Sequence, residues 1–162
     1  IHKTDLKGVV LNIKTQDELI NTAEEMIKNF KSKNIKLESF LIQPFLTTRF
    51  ELLAGSFRDP SFGPPIMFGS GGKYVEYFED TVMRSAYLTE TDIEEMISET
   101  KIGKVIKGVR GEEPANLVKI KSTIRNLAQM MVNHSEIKEV DINPLLVTSD
   151  NMVYAVDVRI KI

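Results

Sequence analysis

The chain has no cysteine and only two histidines among its 162 residues. Without thiols a disulfide framework and thiol catalysis are excluded, and so few histidines disfavour a zinc site. No apolar run approaches the length that spans a bilayer, and no signal-peptide pattern opens the chain. An excess of either charge is also missing. The 21 Lys and Arg residues face 23 Asp and Glu, for a net charge of -2, so there is no global attraction to nucleic acid or anionic membrane. An anionic ligand must therefore be held by a local site, and a reducing cytoplasm is the simplest home. At this length a single domain over residues 1–162 is expected. Ile1-His2-Lys3-Thr4-Asp5 carries no initiator Met, which reads as a fragment of a longer polypeptide.

What the chain does have is concentrated near its end. In Glu139-Val140-Asp141-Ile142-Asn143-Pro144-Leu145 the residues alternate, with Val140 and Ile142 on one strand face and Glu139, Asp141 and Asn143 on the other. Ser149-Asp150-Asn151 suits a hairpin loop, and positions 143 and 157 are each seven residues from Asp150. Asn143 and Asp157 should then stand opposite one another. A carboxylate and an amide oxygen side by side make the hard-oxygen site that Mg2+ uses when nucleotide phosphates supply the remaining ligands. The same letters also fit a plain strand end and turn. Pro144 should interrupt the ladder and introduce a bulge.

Elsewhere the pattern alternates strand and helix signals. Val9 to Ile13 reads as a strand, and Thr15-Gln16-Asp17-Glu18 is a capping box opening a helix through Lys33. Leu37 to Phe45, Phe50 to Phe57, Ile66 to Phe68 and Tyr74 to Phe78 read as further strands. Thr91-Asp92-Ile93-Glu94 is a second capping box, for a helix to about Thr100. Pro114 is placed in the first turn of a longer helix with Leu117, Ile120, Ile124, Leu127 and Met131 as its apolar stripe. Ile137 to Ile162 reads as strand and turn. Consecutive strands in the middle favour an α+β fold, a mixed or antiparallel sheet with helices on one face, over a doubly wound parallel sheet.

Several further groups could carry chemistry. Asp59 to Gly72 holds seven Gly and Pro residues in 14 positions, and glycines 69, 71 and 72 would let backbone N–H groups approach a phosphate chain. Two tight turns in a β meander explain the same composition. Lys104, Lys107 and Arg110 share a stretch with Gly108 and Gly111; Arg110 could grip a phosphate, or the stretch could be a solvated loop. His2 could act as a nucleophile toward a phosphoryl group with Lys3 beside it, though a terminal histidine is usually just exposed. His134 reads as a helix-end residue. Gln43-Pro44-Phe45-Leu46 with Glu51 suits a purine slot or a buried strand corner.

Taken in order, His2-Lys3-Thr4-Asp5 with Gly8-Val9, Phe50-Glu51-Leu52 with Gly55, Asp59-Pro60-Ser61-Phe62-Gly63-Pro64 with Phe68-Gly69 and Gly71-Gly72, Val75-Glu76 with Asp80 and Arg84, Gly108 with Arg110-Gly111, and the 139–145 run with Asp157 and Arg159 resemble the ATP-grasp part of the ADP-forming acyl-CoA synthetases. This is the acetate–CoA ligase group, related more distantly to the β subunit of succinyl-CoA synthetase. The resemblance implies an ATP-grasp fold, with Mg2+ held by Asn143 and Asp157, and with Gln43, Phe45, Leu46 and Glu51 lining the adenosine of ATP or ADP. It puts Gly71, Gly72 and Arg110 near phosphate. It implies a phosphohistidine loop from a partner domain, steadied by Asp141, and makes His2 a match for a second phosphorylated histidine. Asp141, Arg110 and His2 are thus the expected catalytic residues. CoA-binding and acyl-transfer domains, fused or separate, are the expected partners, in an oligomer. Three departures from the family's habit stand out: Lys7 where a second glycine is usual beside Gly8, Thr48-Arg49 in place of a usual glycine before Phe50-Glu51, and Tyr87 where proline is common after Arg84. The alternative is a non-catalytic, regulatory copy of the domain such as some protein lysine acetyltransferases carry; an unrelated ATP-grasp ligase is a third reading.

Overall fold

The structure is a computed structural model that describes residues 8–72, 77 and 79–162. His2 and the Val75-Glu76 pair lie outside the described residues. The chain divides into two compact units, Ile1–Leu46 and Thr47–Ile162.

The first unit is built on helix α1, Gln16–Ser32. Its N-terminus is closed as the sequence predicts: the Thr15 hydroxyl accepts the Glu18 N–H at 3.2 Å, and the Glu18 carboxylate accepts the Thr15 N–H at 3.3 Å. Asn34, at φ 56°, ends it in the left-handed conformation that terminates many helices. The expected strands at Val9–Ile13 and Leu37–Phe45 do not form among the described residues. Their letters favour extended backbone, but a strand exists only where a neighbour takes its N–H and C=O groups, and neither stretch has one among the described residues. Leu11, Leu41 and Ile42 are exposed.

The second unit is an antiparallel sheet with helices over one face. Its strands are β1 (Thr48–Phe57), β2 (Pro65–Ser70), β3 (Thr81–Ser85), β4 (Glu139–Thr148), β5 (Val153–Ala155) and β6 (Val158–Lys161). The order is β3-β2-β1-β4-β5, with β6 also pairing with β4. Helices α2 (Glu90–Glu99), α3 (Lys101–Ile106) and α4 (Leu117–Asn133) complete it. Leu52, Ile66 and Phe68 from the sheet meet Ile93, Met96 and Ile97 of α2, Ile106 of α3, and Ile120, Ile124 and Met131 of α4 in one buried cluster. Each such side chain contributes roughly 1.5–3 kcal/mol by leaving water. This is the α+β arrangement expected, with the helix-free face of the sheet left for the site. Arg58 locks its lower edge by donating to the carbonyls of Met131 (2.8 Å), His134 (3.0 Å) and Ile137 (3.2 Å) at the end of α4.

Four local expectations are corrected. The second capping box is Thr89 with Asp92, not Thr91 with Glu94: the Thr89 hydroxyl accepts the Asp92 N–H at 3.2 Å and the Asp92 carboxylate accepts the Thr89 N–H at 2.7 Å. Thr100 caps a separate short helix, so Lys104 is helical rather than in a loop. Asn116 caps α4 by accepting the Lys119 N–H at 3.1 Å, leaving Pro114 before the helix. Of the Tyr74–Phe78 strand only Tyr77 is described, and its backbone is helical.

Candidate functional site

The site is made where two paired segments change faces together. On β4, Val140 and Ile142 point into the core, and so do Leu145 and Val147. Alternation cannot give this without one extra residue, which Asn143 and Pro144 supply: Leu52 pairs with Leu145 but Ala54 with Ile142. The expected bulge is therefore present, directed at β1, and the Asn143–Pro144 peptide is cis. On the other side nothing slips. Leu145 pairs with Ala155 and Ile142 with Val158, so residues 156 and 157 lie opposite 143 and 144. Asn143 N–H donates to the Asp157 carbonyl at 3.0 Å, and Val156 N–H to that of Pro144 at 3.3 Å. The hairpin turns at Ser149–Asn151, with Asn151 at φ 63°.

Directly opposed residues share a face of the sheet. Asn143 and Asp157 thus stand side by side on the helix-free face, with the Asp141–Arg159 pair next along. Arg159 lies 3.8 Å from the Asp157 carboxylate, which is half exposed. Asp141 is opposite Gly55 on its other side. That position is buried, and a Cβ there would meet the Val140 carbonyl at 3.3 Å and the Met67 side chain at 3.7 Å.

The glycine turn after β2 closes on Asn143. Gly72 N–H donates to the Asn143 side-chain oxygen at 2.9 Å, and Gly71 N–H to the Glu51 carbonyl at 2.9 Å. A Cβ on Gly72, at φ +86°, would lie 1.8 Å from the Glu51 carboxylate, and one on Gly71 would lie 2.3 Å from the Leu52 carbonyl. Glycine is required here by crowding. The expected phosphate nest is altered accordingly, since the N–H groups of Gly71 and Gly72 are taken by protein oxygens.

Arg110 lies in a second turn, between Gly108 (φ +92°) and Gly111 (φ +84°), and is itself left-handed at φ 53°. It is exposed, and no acidic side chain pairs with it among the described residues. An exposed guanidinium with no acidic partner among the described residues is available to an anionic ligand. Arg49 anchors this turn: it bonds Glu112 at 3.3 Å and the Glu113 carbonyl at 2.6 Å while stacking on Phe50 at 4.7 Å. Asp80 is buried, and its carboxylate accepts from Ser70, Lys101 and Ile102. Neither Arg49 nor Asp80 was assigned a role from its letters; Arg49 was legible only as a departure from glycine.

The structure thus gathers Glu51, Gly71, Gly72, Asp141, Asn143 and Asp157 at one part of the open face. Gln43, Phe45 and Leu46 belong to the first unit, where Gln43 and Phe45 are exposed and Leu46 is half-buried. Lys107 bonds Ser98 at 2.5 Å, so it is occupied elsewhere. Among the described residues no three His, Cys, Asp or Glu side chains converge to hold a metal alone. The Asn143–Asp157 pair nevertheless fits Mg2+. Asn143 spends one lone pair of its oxygen on Gly72 and keeps the other, and a two-oxygen protein site completed by phosphates and water suits that ion.

A sheet with a paired carboxylate and amide on its free face, a glycine turn fastened to that amide and an arginine turn nearby in sequence define a nucleotide-handling domain. The ATP-grasp domain model matches residues 1–162, and the chain belongs to the ATP-grasp domain family. It is 38% identical over 162 residues to the β subunit of acetate–CoA ligase [ADP-forming] I of Pyrococcus furiosus, covering 98% of this chain and 69% of that one. It is 40% identical over 149 residues to a 4-hydroxybutyrate–CoA ligase [ADP-forming] of Nitrosopumilus maritimus, covering 91% of this chain but only 21% of that protein's length. Among solved structures it superimposes, with a TM-score of 0.81, on dinucleotide-forming acetyl-coenzyme A synthetase 1 of Ca. Korarchaeum cryptofilum. That match has 38% identity and covers 99% of this chain and 70% of the other; the relative was solved with coenzyme A and Mg-AMPPCP, its phosphohistidine segment pointing towards the nucleotide-binding site.

Proposed function

We propose that this chain is the nucleotide- and Mg2+-binding part of an ADP-forming acyl-CoA synthetase, which interconverts acid, CoA and ATP with acyl-CoA, ADP and phosphate. The observation that carries the reading is the Asn143–Asp157 pair, set on the open face beside Asp141 by matched changes of face in both strands. Bound there, Mg2+ would neutralise charge on the nucleotide phosphates. The chain's own groups position and balance charge, which is most of what phosphoryl transfer needs. Arg110, unpaired, takes a phosphate oxygen. Gly72 holds the Asn143 amide at one angle. Asp141, one pair along from Asn143 and Asp157, orients the imidazole of a histidine brought by a partner domain, and His2 serves as a second phosphate carrier. Gln43, Phe45, Leu46 and Glu51 are proposed for adenosine on the family likeness alone. The β-subunit relative supports assembly with CoA-binding and acyl-transfer domains, in an oligomer.

The test uses the full-length protein with those domains, Mg2+ and ATP labelled on its γ-phosphate. Acid-labile label on the protein is expected, lost in Asp157→Ala, reduced in His2→Ala, and discharged by CoA plus an acid. No label on folded protein that still binds acyl-CoA would overturn the enzyme reading in favour of a regulatory domain.

A further inference from the structure

We propose that Asp80 is a positioning residue for the Mg2+–nucleotide site: its buried carboxylate fixes the 69–72 turn, and that turn aims the amide oxygen of Asn143. The inference rests on the nucleotide reading above and extends it to a residue outside the ligand shell.

Asp80 grips Ser70 twice. Its carboxylate accepts the Ser70 hydroxyl at 2.6 Å, and its backbone carbonyl accepts the Ser70 N–H at 3.0 Å. The same carboxylate accepts the N–H groups of Lys101 and Ile102 at 2.6 and 2.9 Å, so it is itself held by the start of α3. Beyond Ser70 the turn has no slack. Gly71 N–H goes to Glu51 and Gly72 N–H to Asn143, and a Cβ on Gly69 would lie 1.9 Å from the Asp80 carbonyl. An unbroken set of short contacts therefore runs from the helical layer through Asp80 and Ser70 to one proposed metal-binding oxygen.

Capping α3 alone would need only the Lys101 and Ile102 bonds. The bond to Ser70 is the part that reaches the site, and it can be cut separately. Partners one shell out from a metal ligand typically set affinity by about 10- to 100-fold, because they fix the angle at which the ligand oxygen is presented.

The test compares wild type, Ser70→Ala, Ser70→Thr and Asp80→Asn in the full-length protein. ADP binding is followed by calorimetry with Mg2+ and with EDTA, alongside hydrogen exchange at the Gly72 amide and thermal unfolding. Ser70→Ala should weaken Mg2+-dependent ADP binding about tenfold, leave binding in EDTA unchanged, and speed exchange at Gly72. Ser70→Thr, which keeps the hydroxyl, should restore all three; Asp80→Asn should reproduce the binding defect with a lower unfolding temperature. Wild-type Mg2+ dependence in a folded Ser70→Ala protein overturns the proposal while leaving the nucleotide site intact. Wild-type protein whose ADP binding ignores Mg2+ overturns the nucleotide reading, and this proposal with it.

Discussion

The turns at 69–72 and 108–111 look alike as strings of letters and do opposite things. In the first, each added Cβ at 69, 71 or 72 would strike an oxygen within 2.3 Å; in the second, a Cβ on Gly108 would lie 2.6 Å from the Glu112 carbonyl, but one on Gly111 would meet nothing within 4 Å. Crowding and a left-handed backbone coincide in both, at Gly72 and at Gly108; crowding acts alone at Gly69 and Gly71, and the left-handed φ alone at Gly111. The squeezed turn spends its N–H groups on Glu51 and Asn143, so it aims a protein oxygen. The open turn spends its conformational strain on exposing Arg110, so it offers charge. Glycine content alone does not separate these roles; where the N–H groups and the Arg110 side chain go does.

The contrast can be broken at either end. The largest effect is expected from Gly72→Ala, where a forbidden φ and the Glu51 carboxylate combine; a loss of about 1–3 kcal/mol in urea unfolding should accompany loss of Mg2+-dependent ADP binding. Arg110→Ala should leave unfolding nearly unchanged yet weaken ADP binding about tenfold, roughly 1.4 kcal/mol, and Arg110→Gly should match that defect while raising stability. An equal stability loss at both turns would erase the distinction. Gly111→Ala should cost about 1 kcal/mol from backbone strain alone, without touching Mg2+ dependence. Arg49→Ala, which frees the Arg110 turn without entering it, should cost about 0.5–1.5 kcal/mol and weaken ADP binding only a few-fold in calorimetry.

The smallest effect is confined to acid. Burial pushes the Asp80 carboxyl up, but the bonds from Ser70, Ile102 and Lys101 outweigh it and hold the group below its ordinary value of 3.8. A carboxyl lowered on folding stabilises the fold above its unfolded value, and that contribution disappears as pH falls through the folded one. Stability measured from pH 5 downward should therefore drop more in wild type than in Asp80→Asn. Parallel curves would mean that folding leaves the Asp80 pKa unshifted.

The hairpin at 139–161 was legible in the sequence because two independent signals agreed, the alternation around Asp141 and the symmetric spacing about Asp150. The apolar stripe of α4 was legible as well, and Ile120, Ile124, Leu127 and Met131 are buried. β3 was not: its exposure alternates, and Val82 is its one side chain packed on the core, too little pattern for five residues. Val9–Ile13 and Leu37–Phe45 failed in the opposite way, having strand letters without a ladder partner. Thr89 and Thr91 each begin a plausible box, and only the hydrogen bonds between Thr89 and Asp92 choose between them. Of the site, Asn143, Asp157 and Asp141 could be placed by register. Asp80 could not, since its importance lies in contacts with Ser70 and α3 from distant parts of the chain.

The matched reversal at Asn143-Pro144 and Val156-Asp157 ties inside to outside. Deleting Pro144 alone would send Leu145 and Val147 to the solvent face while stranding their partners Ala155 and Val153. The two segments are thus a single heritable cassette: length changes survive only in pairs, one on each strand, and anyone transplanting this site into another sheet must carry residues 139–161 whole.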